Sequence, residues 1–373
     1  GVILTEEALK NIYLKDFHKK NDAKFVPFAG YDMPINYKKG IINEHLHVRN
    51  HTGIFDVSHM GQILIPFNEE NILALEAYIP LNIKKIISNK CHYSFILNSN
   101  GGIVDDIMIS KIKFDNNEFV YIVYNSSRKQ ILNKIFNATI SNFKIFEDRC
   151  LIAIQGPESF SSINSILNLP ASMNFLNIQI LQYDDSDLFI SRSGYTGEDG
   201  FEISISNNKA EKLISDILNN NNVMLCGLGC RDSLRVEAGL SLYGNEINED
   251  INPVQAGLSW ALDKNRLQDQ NLNGSEILSK ELSSIPSVKK IGLSPINKIM
   301  LRNQMTIHNN NKEEIGFITS GCYSPILKKS IGIGYINKLS NISEKKYVNV
   351  RDKYEEIKLE KIPFVKKNYK KGD

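Results

Sequence analysis

Two adjacent carboxylates, Asp105 and Asp106, interrupt the otherwise apolar run NGGIVDDIMIS from Asn100 to Ser110. In a strand successive side chains point to opposite faces. Asp105 therefore shares a side with Ile103, Ile107 and Ile109, and Asp106 shares the other with Val104, Met108 and Ser110. Whichever face is buried takes one carboxylate with it. An ionised Asp there is costly unless it is paired, protonated or aimed at a ligand carrying nitrogen donors. The simpler alternative is structural: an Asp near a turn that accepts backbone bonds, or one half of an ion pair.

A second candidate lies in GYTGEDGFEI, where Gly194, Gly197 and Gly200 permit close backbone approach. Glu202 follows in a strand whose neighbours Phe201 and Ile203 face the opposite way, so its carboxylate could accept paired N–H bonds from a guanidine-like ring edge. Glu198 and Asp199 alone are too few ligands for calcium. In CRDSLRVEAG, a helical stretch, Arg231 and Arg235 lie four residues apart on one face. Arg235 could clamp a carboxylate, or simply pair with Asp232 or Glu237. Ser58 and His59 are neighbours that a strand would point apart, so they do not form a nucleophile and base pair. His47 and His51 have two-ligand helical spacing without a third ligand, and CGLGCRD has Asp232 where a dinucleotide loop needs its third Gly.

The elements that must position these residues alternate between helix and strand. Glu6 to Asn21 and Gly40 to Asn50 read as helices, and PFAGYDMPINY between them reads as an irregular loop that could wall a site. From Thr52, GIFDVSHMGQILI alternates as a strand, and Asn68 to Tyr78 is helical. HYSFILN and IVDDIMIS form a hairpin through Ser99 to Gly102. Phe119 to Tyr124 is a strand ending at Asn125, and Ser126 is placed to cap the helix that follows. CLIAIQGPESFSSINSIL gives a strand, a Gly-Pro break and a helix, and two strands then flank the Gly-rich bend. The segments KKIGLSP, MTIHN, EIGFITSG, SIGIGYI, KYVNVRD and YEEIKLEKI have the spacing of a small β-barrel or sandwich.

The totals restrict the function. The 373 residues, 42% of them hydrophobic, predict two or three globular domains. Lys and Arg number 44 against 42 Asp and Glu, so no global field draws nucleic acid or an acidic membrane. Five Cys at irregular spacing read as free thiols in a reducing compartment. The N-terminal stretch carries Glu6 and Glu7 early and lacks the features of a secretory signal.

Taken in order, PFAGYDMPINY, GIFDVSHMGQ, NGGIVDDIM, IQGP, GYTGEDGFEI, CGLGCRDSLRVEAGLSLYGNEI, PVQAGLSWAL and GFITSGCYSPILKKSIGIGYI resemble the T-protein of the glycine cleavage system, within the folate-binding aminomethyltransferase superfamily. The likeness runs from about residue 27 to 335, and PFVKK extends it nearly to the C-terminus. With no flavin domain in the 373 residues, the T-protein is the expected member. The resemblance implies an α+β fold: a three-domain cloverleaf around a central folate channel, with a C-terminal small β-barrel or jelly-roll. The expected division is residues 1–50 with 145–245, 51–144 with 246–285, and 286–373.

The resemblance also implies an aminomethyltransferase that moves a one-carbon unit from the lipoylated H-protein to tetrahydrofolate, releasing ammonia and giving 5,10-methylenetetrahydrofolate. Tetrahydrofolate enters as co-substrate, without metal or flavin, and neither nucleic acid nor membrane is a partner. By the same resemblance Asp105, first of the Asp pair, approaches the folate nitrogens, Glu202 and Asn125 take the pterin edge, and Met60 and Tyr93 form ring walls. Tyr195 and Arg235 go to the aminobenzoyl-glutamate tail, with Lys366 where an Arg is expected after PFV. Lysine keeps the charge and loses the planar fork. A folate-dependent demethylase and a non-catalytic folate-binding protein are the alternatives. The expected location is the bacterial cytoplasm, or the mitochondrial matrix for a processed eukaryotic chain.

Overall fold

Three sheets and one closed barrel carry the chain in a computed structural model that describes residues 8–337 and 340–372. Six strands form the largest sheet, in the order Ile178–Tyr183, Ser186–Ser191, Gly200–Ser206, Arg149–Gln155, Thr52–Asp56 and Val223–Leu225. All its pairings are antiparallel except the last. Helices Ser159–Leu167 and Asn207–Leu218 cover one face, burying Ile163, Leu213 and Ile217 against Ile152, Ile203 and Ile205. Phe201 and Ile203 thus point into the helix-covered core, and the alternation sends Glu202 to the other face.

The second sheet has the order Cys91–Leu97, Ile103–Phe114, Asn117–Tyr124, Gly61–Pro66 and Lys144–Ile145. Helices Glu69–Glu76 and Lys129–Thr139 cover it, packing Ile72, Leu75, Leu132 and Phe136 on Ile63, Ile107, Ile109 and Ile122. Ile107 and Ile109 belong to the Asp105 side, so that is the covered side. Asp106 and Met108 are half-buried on the face turned toward the rest of the molecule. The hairpin turn before them is organised by Asn98, whose Oδ1 accepts the N–H groups of Asn100 (3.0 Å) and Gly102 (2.9 Å). A Cβ on Gly102 would lie 1.7 Å from the Glu249 carbonyl oxygen, which requires glycine there.

The six C-terminal segments are all strands, and they close into a barrel in the order Val288–Pro295, Lys329–Asn337, Glu314–Ser324, Thr306–His308, Lys346–Val350 and Lys353–Glu360. Helix Leu228–Glu237 lies against it through Val236, which packs with Ile331 and Ile333.

Four local readings need correction. PFAGYDMPINY is not irregular: Lys24–Phe28 and Tyr31–Asn36 pair as a hairpin through Ala29 (φ 50°) and Gly30 (φ 81°), the two-residue turn that suits twisted strands. Its prolines are accommodated because this sheet has only three strands and its third, Lys10–Asn11, pairs only with Tyr31 and Asp32. That pairing also shortens the first helix to Lys15–Lys20, and Glu6 and Glu7 lie outside the described residues. GIFDVSHMGQILI breaks at 57–60 into Thr52–Asp56 in the first sheet and Gly61–Pro66 in the second. Ser126 does not cap the helix after it, because its hydroxyl goes to the Ala29 carbonyl (3.4 Å) and the helix begins at Lys129.

Candidate active site

A cavity of about 1620 Å³ opens where the uncovered faces of both larger sheets meet the N-terminal hairpin, helix Leu228–Glu237 and the barrel. Its wall includes Met60, Tyr93, Asn125, Tyr195 and Glu202, five of the residues expected from sequence, and Asp106 in place of its neighbour. Asp105, Arg235 and Lys366 are not on it.

At the first sheet-strand pair, Asp106 Oδ2 accepts the Tyr93 hydroxyl at 2.9 Å and Asp106 Oδ1 accepts Asn125 Nδ2 at 2.6 Å. Asp105 lies behind, fully buried, with Asn125 Nδ2 2.7 Å from its Oδ1 and the Asn125 backbone N–H 3.0 Å from its Oδ2. The carboxylate of the pair that faces the cavity is thus Asp106, because the helices Glu69–Glu76 and Lys129–Thr139 have taken the Asp105 face. Burial pushes Tyr93 well above its ordinary range, with Asp106 adding to it, so the phenol stays a donor. The Tyr93 ring stacks on Trp260, centroids 5.6 Å apart, and Trp260 is 70% exposed at the mouth.

Glu202 faces the cavity from the other sheet, and no side chain or backbone donor among the described residues bonds its carboxylate. Burial raises its pKa and Arg231 opposes the rise. Arg231 lies over the Tyr195 ring, 4.9 Å from its centroid, and its Nη1 is buried with no partner. Tyr195 is fixed by its hydroxyl donating to the Ser241 carbonyl (2.6 Å). Here a wall carries a free acceptor and a free donor side by side, which is costly unless a ligand completes them.

Arg235 has no such freedom. It is 1% exposed and bonds Asp232 (2.8 Å), the Leu240 carbonyl (3.1 Å), Ser320 (2.8 Å) and Glu246. Its role is to pin the helix to the barrel, and the cavity-facing guanidinium is Arg231. Lys366 likewise points to solvent. The tail is tied down by Asn368, whose N–H donates to the Gly197 carbonyl (2.8 Å) and whose Nδ2 donates to Glu198 (3.1 Å), and this turns Lys367 inward. Lys290 sits on the same wall 3.2 Å from the Ser241 hydroxyl, and burial pushes its ammonium down to about 8 against the pull of Glu246.

Two further residues escaped sequence reasoning. Trp260 is the sole tryptophan of the chain, and nothing in its sequence neighbourhood marks it as a wall residue. A strand through Ser58 and His59 is the expectation, but His59 occupies the turn 57–60 and reaches the cavity. It is 3% exposed, stands edge-on to Phe28 and Tyr31, and keeps an unpartnered Nδ1. Burial, aided by Arg231 and Lys129, pushes it down to about 3, so the imidazole is neutral. The turn that presents His59 and Met60 is braced by a buried chain: Ser58 to Asp56 (2.5 Å), Asp56 to His18 (2.7 Å), His18 to Tyr37 (2.7 Å).

The remaining sequence candidates are structural. Gly194 and Gly200 admit the Gln155 side chain, since a Cβ on either would approach it within 1.9 and 2.5 Å. Glu198 pairs with Arg49 (2.8 Å) and Asp199 with Arg192 (2.7 Å). His47 bonds the Asn222 carbonyl (2.8 Å) and His51 bonds Glu158 (3.0 Å). Cys226 and Cys230 gather with Glu44, but both Glu44 oxygens already accept backbone N–H groups, from Tyr37 (2.8 Å) and Gly227 (2.9 Å). Among the described residues no helix is long and apolar enough to cross a membrane.

Comparison with known proteins gives the family. Residues 14–266 match the GCVT N-terminal domain, and residues 289–366 match the glycine cleavage T-protein C-terminal barrel domain. The mitochondrial aminomethyltransferase of Flaveria pringlei is 36% identical over 98% of this chain and 92% of its own length. A probable mitochondrial aminomethyltransferase of Schizosaccharomyces pombe is 37% identical over 98% of this chain and 95% of its own. The crystal structure of the glycine cleavage system aminomethyltransferase T from Bartonella henselae superposes with a TM-score of 0.89 at 33% identity, covering 97% of this chain and all of that one.

Proposed function

The chain belongs to the glycine cleavage T-protein family and is an aminomethyltransferase, and we propose that it joins a lipoyl-borne aminomethyl group to tetrahydrofolate within the cavity between its two larger sheets. The observation that carries this reading is the pair of inward carboxylates from different sheets, Glu202 without a hydrogen-bond partner among the described residues and Asp106 held by Tyr93 and Asn125. Glu202 accepts the two N–H groups of the aminopyrimidinone edge, a bidentate match that only a carboxylate at the end of an apolar slot supplies. Met60, Met108, Val123 and Leu151 line the apolar part of the wall and enclose the ring.

The chemistry is an exchange at one methylene carbon. Bonds form from that carbon to the two folate amine nitrogens, while its bonds to the amino nitrogen and to sulfur break. The two folate N–H protons leave with ammonia and with the dihydrolipoyl thiol. Positive charge develops on carbon as ammonia departs and on nitrogen as it attacks. Asp106, an anion in a shielded wall, stabilises that charge and orients the attacking amines. Asn125 contributes by holding Asp106, since its amide nitrogen is spent on the carboxylates. Lys290 and Lys367 take the carboxylates of the folate tail, in place of Arg235 and Lys366, and Arg231 stays with Glu202 at the ring end. The lipoylated H-protein is the donor partner. The relatives named mitochondrial support a mitochondrial place of work, and the Bartonella henselae relative supports a bacterial one.

The test supplies purified chain as the only catalyst to aminomethylated lipoyl carrier and tetrahydrofolate. Rapid formation of methylenetetrahydrofolate is expected. Folate binding without product, and product from a methylated amine instead, would transfer the site to a demethylase.

A further inference from the structure

Behind Asp106 stands a second carboxylate that a reaction needing one anion leaves unexplained. Asp105 is fully buried, and the nearby cation Arg128 directs its guanidinium to the Val104 carbonyl (2.7 Å) and to Glu249 (3.2 Å). What Asp105 holds is a single residue: it accepts the Asn125 backbone N–H at 3.0 Å and the Asn125 side-chain amide at 2.7 Å. The same amide nitrogen donates to Asp106 at 2.6 Å. Asp106 is therefore positioned from one side by Tyr93 and from the other by an amide whose own place is set by Asp105.

Two carboxylates that share one neutral amide, with no cation among the described residues in hydrogen-bond contact, cannot both ionise cheaply. Asp106 is the better anion, because it reaches the cavity and collects the Tyr93 hydroxyl in addition to the amide. We propose that Asp105 is a positioning residue that stays protonated in the working enzyme, fixes Asn125, and leaves the pair a single negative charge on Asp106. The inference rests on the reading of Asp106 as the acting carboxylate. Burial, and then the charge of Asp106, push Asp105 well above the usual carboxylate range, whereas bonds from Tyr93 and Asn125 restrain the burial-driven rise at Asp106.

Ionising Asp105 would set a second anion beside the first, raise the proton affinity of Asp106 and disturb the shared amide. The groups facing it are Asp106 on its own strand, Tyr124 and Asn125 on the next, Arg128 in the following turn, and Tyr243, whose hydroxyl donates to the Ile103 carbonyl (2.8 Å). Burial pushes both tyrosines up, so neither titrates before an elevated carboxyl does. Turnover should therefore fall on the alkaline side as Asp105 ionises.

The experiment assays wild type, Asp105→Asn and Asp106→Asn as full chains from mildly acid to alkaline pH, with folate affinity and melting measured alongside. Asp105→Asn replaces the acid with a neutral isostere and loses one acceptor. It should keep neutral-pH turnover to within about tenfold and lose the alkaline fall. Asp105→Asn as inactive as Asp106→Asn with folding and affinity intact, or an alkaline fall unchanged in Asp105→Asn, would overturn the inference. Normal turnover in Asp106→Asn would instead remove the reading beneath it. Carboxyl-carbon resonances of wild type give a check that needs no variant: one buried Asp should remain protonated through neutral pH, and none doing so would equally overturn it.

Discussion

The two larger sheets contribute one carboxylate each to the same cavity, and they treat it in opposite ways. On the five-stranded sheet Asp106 is bound by Tyr93 and Asn125, and Asn125 in turn by Asp105. On the six-stranded sheet Glu202 is left open, beside an Arg231 whose Nη1 has no partner. The first arrangement suits a group that must already be in place when charge develops, because reorganisation at that moment would cost rate. The second suits a group whose bonds are to be made by the ligand, because its unpaired state is relieved only by binding. On the proposed function, chemistry and recognition are divided between two sheets, and substitutions should separate them.

The largest effect is expected from Asp106→Asn, which should lower turnover by about a hundredfold or more while folate affinity changes little; single-turnover kinetics and direct titration read the two. Glu202→Ala should do the reverse. Two charge-assisted bonds at about 1.5–3 kcal/mol each make a loss of folate affinity of about a hundredfold or more the expected result, with turnover largely restored at saturating folate.

The arginines test the same division at smaller amplitude. Arg231→Ala should weaken folate binding with the melting temperature nearly unchanged. Arg235→Ala should lower the melting temperature, because it leaves Glu246 buried and uncompensated. The outcome that reverses these two would restore Arg235 to the ligand site.

The smallest effect concerns the tail. Lys290, pushed down to about 8, is a cation below that pH and loses its charge above it. Affinity for folate carrying several glutamates should therefore decline as pH rises through about 8, and Lys290→Met should flatten that decline. The fluorescence of Trp260, the single tryptophan, offers the readout, since its ring stacks at the cavity mouth on Tyr93.

How much of this was visible in the sequence depends on what each feature needed. Six barrel strands were legible because alternation and turns are local signals. The opposite facing of Asp105 and Asp106 was legible for the same reason. Which face would be covered was not: it follows from where Ile72, Leu75, Leu132 and Phe136 pack, and strand periodicity carries no information about that side. Similarity alone pointed to the first Asp of the pair, and the packing of two helices points to the second. Arg231 and Arg235 share a helix face in sequence, yet Arg235 is captured by Ser320, 85 residues away, and by Glu246. Lys367 replaced Lys366 because Asn368 is anchored at Gly197, a contact no local pattern encodes. The N-terminal hairpin was hidden by Pro27 and Pro34, which penalise strands in general but not in a narrow three-stranded sheet.

The most direct test of the division between sheets is to measure folate affinity and single-turnover rate for both Asp106→Asn and Glu202→Ala. The account predicts a crossed result: Asp106→Asn binds folate almost normally and transfers slowly, while Glu202→Ala binds poorly and, once saturated, transfers at close to the normal rate. Parallel losses of affinity and rate in both variants would contradict it, and would mean that the two carboxylates act as one unit.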